Sequence, residues 1–336
     1  MSIEHRILLE PRGRALVGWA DRSILTAALA AGLNLPHSCK SGHCGSCRAR
    51  LLAGEIAYPG ALPLGITAAE AAQGFVLTCQ ARPRSDLKLE ALPVVSSEEQ
   101  EVKRLPCRIE SLRPLAPDVL QLFLRLPAVE PLRFAPGQYL DILTGGSRHS
   151  FSIASPPHDS SPLELHVRRS PHGRFTPGLF ALTGPGQLLR IEGPLGQLAY
   201  RDGPQPALFI AGGTGFAPLK SMLRHALEQG STRELHLYWG ARTPVDLYEE
   251  ALVLEWVRRY PNLRYRGVLS AAAATLRPEQ SLGWVHEAVL GDFPRLEGLE
   301  VYAAGPPALI AAIRESYPAR GLAAGALHFD SFDYPA

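Results

Sequence analysis

Cys39, Cys44 and Cys47 are spaced C-x4-C-x2-C, and a distant fourth cysteine, Cys79, completes the set. Four thiolates gathered at one centre fix the path of the chain between them, so this spacing constrains the fold more than any other feature. It is the spacing of a plant-type 2Fe-2S cluster. Gly42 and Gly45 fall inside the loop, where the backbone must turn tightly if its N–H groups are to point at sulfur. Zinc held by four thiolates is the competing reading. Such sites usually pair two short C-x2-C knuckles, whereas here a clustered trio faces one remote cysteine.

A chain of 336 residues is long enough for two or three domains with cores of their own. Its 34 basic and 32 acidic residues leave a net charge of +2 without a basic tract, so no nucleic-acid partner is expected. The most apolar stretch near the start, Ile24 to Leu33, is too short to span a bilayer and follows the acidic Glu4; neither an anchor nor a signal peptide is expected there, and no membrane partner. With four of the five cysteines committed to metal, no disulfide framework remains, which fits a reducing cytoplasm. Cys107, within Leu-Pro-Cys-Arg-Ile, reads as a core residue.

The texture of the chain changes twice. Residues 3–10 and 14–19 read as strands around Arg12-Gly13, and Asp21 or Ser23 can cap a helix that stops at Gly32, an order that suits a β-grasp domain over 1–95. The charged run from Ser96 to Arg104 lacks apolar periodicity and reads as a linker. Over 104–203, Pro- and Gly-rich turns separate short alternating runs such as Val119 to Leu126, the pattern of an antiparallel barrel. From 206 to 336, buried strands alternate with helices, as in a parallel α/β nucleotide-binding domain. The expected architecture is therefore multidomain: α+β, then β, then α/β.

Several motifs carry a family resemblance. Pro36-His37-Ser38-Cys39 and Leu77-Thr78-Cys79-Gln80 resemble the ferredoxin module around its cluster ligands. Gly137-Gln138-Tyr139-Leu140 and Arg148-His149-Ser150-Phe151-Ser152-Ile153-Ala154-Ser155 resemble the flavin-binding strands of the ferredoxin–NADP reductase superfamily, whose pattern is Arg-x-Phe/Tyr-Ser. The resemblance implies a six-stranded barrel that binds FAD. In it Phe151 would stack on the isoalloxazine and Ser152 would hydrogen-bond near its reactive nitrogen, both in catalytic positions, with Ser150 beside them. Where the family has arginine this chain has His149, and Arg148 sits one residue earlier, on the opposite face of a strand. A histidine there gives a pH-dependent grip on phosphate. Leu165-His166-Val167-Arg168-Arg169 and Gly173-Arg174-Phe175-Thr176-Pro177 resemble the family's next flavin elements, which implies cofactor contacts from His166, Val167, Gly173, Phe175 and Thr176, with Thr176 capping a helix that starts at Pro177.

Gly212-Gly213-Thr214-Gly215-Phe216-Ala217-Pro218 follows the apolar strand Ala207 to Ala211 and precedes a helix expected from about Leu219 to Gln229. Glycines there let the backbone approach a pyrophosphate at the helix start. The Gly-Gly-Thr-Gly-x-Ala-Pro form is similar to the superfamily's own. Val301-Tyr302-Ala303-Ala304-Gly305-Pro306-Pro307 resembles the strand that ends beside nicotinamide, with Ala304 in place of the family's usual cysteine. Arg242 and Asp246, beyond the second strand of this region, bear on coenzyme choice: Arg242 could meet the 2′-phosphate of NADPH, whereas Asp246 would repel it and serve a ribose hydroxyl. Similar stretches in NADH-linked relatives favour NADH.

Nicotinamide gives up two electrons as a hydride, an iron–sulfur cluster takes one, and flavin handles both. The resemblance therefore implies a reductase that moves electrons from NADH through FAD to a 2Fe-2S cluster and on to a partner protein, most simply a terminal oxygenase component. Through Ser150-Phe151-Ser152-Ile153-Ala154, Leu165-His166-Val167-Arg168-Arg169 and Gly173-Arg174-Phe175-Thr176 the chain also resembles the CDP-6-deoxy-delta-3,4-glucoseen reductases, for which the acceptor would be a pyridoxamine-dependent sugar dehydrase.

Overall fold

The structure is a computed structural model that describes residues 3–37, 40, 42, 45–63, 65–91, 102–128, 130–145, 147–170, 175–181, 185–271, 275–323 and 325–331. Internal contacts divide the chain into two units, Met1–Val102 and Lys103–Ala336.

In the first unit, alternating apolar residues pair Glu4–Glu10 with Arg14–Trp19 as an antiparallel hairpin, Ile7 opposite Leu16. The strands order as Arg14–Trp19, Glu4–Glu10, Leu87–Glu90, Arg48–Ala53 and Phe75–Leu77. Glu4–Glu10 and Leu87–Glu90 run parallel, so the chain must cross over between them, and helix Ile24–Ala30 lies in that crossover. Ser23, not Asp21, caps the helix: its hydroxyl accepts from Thr26 N at 3.2 Å. Gly32 at φ 73° ends it, and Leu33 N returns to Ala28 O at 2.8 Å, which closes the turn on an otherwise orphaned carbonyl.

The second unit contains two sheets. Its antiparallel sheet runs in the order Ser147–Ser152, Tyr139–Thr144, Leu188–Leu195, Lys103–Ala116, Val119–Arg125, Leu163–Arg168. A bridge between Ile153 and Leu165 joins the two edge strands and closes the six strands into a barrel. The run that reads as linker therefore ends earlier than its charge suggests, because Lys103 and Arg104 already pair with Gly193 and Glu192. Leu105, Ile109, Leu122, Leu140, Ile142, Ile153, Leu165, Val167 and Ile191 fill the barrel. Cys107 joins this core at 3% exposure, and burial pushes its thiol up to about 12, so it stays protonated and inert.

The other sheet is wholly parallel, ordered Gln280–Leu282, Leu263–Leu269, Leu235–Ala241, Ala207–Gly212, Glu300–Gly305, Leu327–Ser331. Ala207–Gly212 lies at its centre and is buried along its whole length, as a strand covered on both faces must be. Strand order reverses between Ala207–Gly212 and Glu300–Gly305, the point where such sheets open a crevice for ligands. Helix Phe216–Glu228 begins three residues before the expected Leu219, since Pro218 sits in the first turn where its missing N–H costs nothing. Gly215 packs against the neighbouring strand so closely that a Cβ would lie 1.9 Å from the Ala304 carbonyl oxygen. Gly215→Ala should therefore force backbone apart at a cost on the order of 1–3 kcal/mol. A lowered thermal midpoint is the expected result.

Candidate functional site

Thiol ligands in the first unit are brought together by the pairing of Arg48–Ala53 with Phe75–Leu77. Arg48 stands opposite Leu77, and Thr78 donates to Cys47 O from both its N–H and its hydroxyl at 3.1 Å. Cys47 and Cys79 consequently lie with their Sγ atoms 3.1 Å apart, both buried and neither in a disulfide. Two thiolates this close in an apolar core need a cation between them, and that donor set fits an iron–sulfur cluster. Lys40, Gly42 and Gly45 have φ of 57°, 83° and 77°. A Cβ on Gly42 would meet Gln80 Cγ at 2.8 Å, while Gln80 Nε2 donates to Lys40 O at 2.8 Å. The loop is thus folded back on the segment carrying the fourth cysteine. Cys39 and Cys44 lie outside the described residues.

At the barrel, Ser152 ends its strand opposite Tyr139, and the Ile153–Leu165 bridge places it across from His166 on the second edge. The Ser152 hydroxyl is buried without a hydrogen-bond partner among the described residues. A buried hydroxyl left so is costly unless a ligand completes it, and this one fits a flavin ring edge. Phe151 is half-buried against the barrel core, 6.0 Å from Phe175. Ser150 donates to Asp141 at 2.6 Å.

Alternation along this strand separates the two candidate phosphate ligands. Arg148 shares a face with Ser150, where it ion-pairs with Glu192 and lies 3.7 Å from Asp141. His149 faces the other way, stacks on Phe175 at 4.2 Å and shares a hydrogen bond with Thr144 at 2.9 Å. Burial pulls its imidazole below the usual histidine range, only partly opposed by Asp141, so His149 is uncharged at neutral pH. A guanidinium already spent on a carboxylate and a neutral ring leave the flavin phosphates without a permanent cation from this strand.

The next strand alternates in the same way. Val167 points into the barrel core at 0% exposure, so only its backbone is available to a ligand. The side chain of His166 is fully enclosed by Glu164, Tyr248 and Glu249. Arg168, which the sequence motifs did not single out as a ligand, reaches the cleft instead. Its Nη1 lies 3.3 Å from Asp118, whereas Nε and Nη2 are buried without a partner among the described residues. Every second residue of Leu163–Arg168 faces away from the core, a periodicity that could have marked it. Helix Phe175–Phe180 starts ahead of Thr176, so Thr176 is not its cap: the hydroxyl accepts from Ser170 N at 2.8 Å and ties the helix to the preceding segment. Phe175 reaches the site through His149, and Gly173 lies outside the described residues.

Beyond Arg168 opens a cleft of about 590 Å³ lined by Gly212, Gly213, Arg242, Asp246, Trp284 and Pro306 among others. Gly213 has φ 54°, and its carbonyl accepts from Trp239 Nε1 at 2.9 Å, which pins the loop. Thr214 and Gly215 are buried behind it. Asp246 Oδ2 accepts from Thr243 N at 3.0 Å and from Thr243 Oγ1 at 2.8 Å, holding the 242–246 turn at the cleft edge. Ala304 is fully buried in register with Ala211, and Gly305 follows beside Gly212. This crevice, with glycine backbone at a helix start, is built for a dinucleotide.

Known proteins share these features in the same order. The 2Fe-2S iron-sulfur cluster binding domain matches residues 7–84, the oxidoreductase FAD-binding domain 106–200 and the oxidoreductase NAD-binding domain 209–315. The chain is 36% identical over 326 residues to a CDP-6-deoxy-L-threo-D-glycero-4-hexulose-3-dehydrase reductase of Yersinia pestis, covering 97% of this chain and 98% of that one. It is 35% identical to the terephthalate 1,2-dioxygenase reductase component 2 of a Comamonas species, covering 98% of each. The crystal structure of the Amycolatopsis cytochrome P450 reductase GcoB matches with a TM-score of 0.80 at 31% identity over 98% of both chains. No helix among the described residues is long and apolar enough to cross a membrane. The chain belongs to the ferredoxin–NADP reductase superfamily, as an electron-transferring oxidoreductase that joins an iron–sulfur domain to FAD- and NAD-binding domains.

Proposed function

We propose that this chain takes electrons from NADH and passes them through FAD and its 2Fe-2S cluster to a terminal oxygenase component. Arg168 is the observation that carries it. A residue of the barrel strand across from Ser152 lines the dinucleotide cleft beside Gly213, so the two nucleotide sites share a wall, as direct hydride transfer requires. A bound flavin supplies the exchange between a two-electron donor and a one-electron acceptor. The chain's own residues orient it: Ser152 offers a hydroxyl to the ring edge, Phe151 and Phe175 an aromatic wall, and Arg168 a positive charge within reach of phosphate. Gly212, Gly213, Thr214 and Gly215 hold the pyrophosphate of NADH, and Ala304, Gly305 and Pro306 border its nicotinamide. Cys39, Cys44, Cys47 and Cys79 hold the cluster. In this reading 1–95, 104–203 and 206–336 are the three working domains, and the reducing cytoplasm is where such thiol ligation persists.

Identity of 36% to the Yersinia pestis dehydrase reductase supports a second acceptor, a pyridoxamine-dependent sugar dehydrase. Anaerobic NADH titration followed by mixing with a purified oxygenase component or dehydrase separates the two. Only the true acceptor should reoxidise the protein at a turnover rate.

Three further outcomes are expected. Cys44→Ser should abolish reduction of a one-electron protein acceptor while NADH–ferricyanide activity persists; equal loss of both sinks a cluster placed downstream of flavin. His149→Arg should tighten FAD binding about tenfold, read as flavin retained on dilution. No change would mean that Arg168 already meets the phosphates. Asp246→Asn, which removes a negative charge at the cleft edge, should raise kcat/KM for NADPH about tenfold relative to NADH.

A further inference from the structure

Between the barrel and the parallel sheet of the second unit lies a buried cluster of charge whose members do not line the dinucleotide cleft. Lys220 Nζ sits 2.7 Å from Glu164 Oε1 and 2.8 Å from both carboxylate oxygens of Glu249. His166 Nε2 lies 2.9 Å from Glu164 Oε1 and 3.5 Å from Glu249 Oε2, and its Nδ1 lies 3.0 Å from the Tyr248 hydroxyl. Gln121 Nε2 donates to Glu164 at 2.5 Å. The side chains of Glu164, His166, Lys220 and Glu249 are no more than 10% exposed. Burial pushes the Glu164 carboxyl up, but the hydrogen bond from His166 and the charge of Lys220 outweigh it and hold the group well below the usual carboxylate range. Atoms of Glu164, His166 and Glu249 lie within 4.8 Å of one another, as metal ligands would, but the ammonium of Lys220 already occupies the cation's place.

Membership of the cluster is divided. Glu164 and His166 belong to the barrel strand that also carries Arg168, and His166 stands across from Ser152. Lys220 stands just over one turn into the helix that begins at Phe216, directly behind the glycine loop. Tyr248 and Glu249 follow the turn that carries Arg242 and Asp246. One strand of the barrel, the helix behind the glycine loop and the segment after the 242–246 turn are thus tied together at one point. Buried ion pairs contribute little net stability, because desolvation offsets their attraction. Their use lies in direction: an ammonium between two carboxylates fixes where three elements sit, which apolar packing does less sharply.

We infer that Lys220, with Glu164, Glu249 and His166, is a positioning cluster that sets the flavin-binding face at hydride-transfer distance from the nicotinamide-binding face. The inference rests on the flavin and nicotinamide sites proposed above. A misplacement of about 1 Å costs roughly 100-fold in rate, whereas each ligand held on its own side keeps its affinity.

Lys220→Met and Glu249→Gln test this in the full-length holoprotein. FAD and NAD+ dissociation constants, the thermal midpoint and the single-turnover rate of flavin reduction by NADH are measured for each. The expected result is a reduction rate lowered about 100-fold in Lys220→Met and about 10-fold in Glu249→Gln, with both dissociation constants within about twofold of the parent. Should Lys220→Met fail to fold, Glu249→Gln, which keeps the shape and one of the two acceptor oxygens, decides alone. A folded variant that reduces at the parent rate, or whose loss is wholly explained by weaker nucleotide binding, overturns the inference. A parent protein that binds both nucleotides yet takes no electrons from NADH overturns the underlying reading instead, and this one with it.

Discussion

Closure of the barrel is the constraint on which the second unit depends. Joining Ile153 to Leu165 brings the two edge strands together and fixes the parity of both. Leu165 and Val167 must then fill the core, which leaves Glu164, His166 and Arg168 facing outward. Polar groups so placed against an adjoining parallel sheet need partners, and Lys220 and Glu249 answer two of them. Of these three, Arg168 keeps N–H groups that have no partner among the described residues, and it does so where the glycine loop passes.

The crevice on the other side of that wall follows from a different rule. A parallel sheet whose order reverses beside Ala207–Gly212 must leave an opening at its carboxyl edge, and the chain fills it with the residues that let backbone approach backbone. Gly215 against the Ala304 carbonyl shows how little room remains. The close approach and the open crevice are two consequences of one strand crossing.

Departures from the family pattern take on a physical meaning in this setting. His149 is neutral and stacked rather than charged, and Arg148 is engaged with Glu192 on the far face of its strand. A cation at the cleft comes instead from Arg168, on the strand across the closure. Ala304 removes a thiol from a wall that is otherwise intact, since the strand is still buried and in register with Ala211.

The fold class and the order of its parts were legible in the sequence, because each rests on local rules. The C-x4-C-x2-C trio, a strand running into Gly-Gly-Thr-Gly, Ser23 before an apolar helix and alternation in Val119 to Leu126 all act over a few residues. What spacing could not disclose depends on partners remote in the chain. Thr176 has the right chemistry to cap a helix, yet accepts from Ser170; His166 lies in a motif associated with flavin, yet its side chain is enclosed by Glu164, Tyr248 and Glu249. Cofactor chemistry was fixed by residue types close together in sequence. Which face each of Arg148, His149 and Arg168 takes, and which buried charges meet between barrel and parallel sheet, was decided only when barrel closure chose the face of each strand.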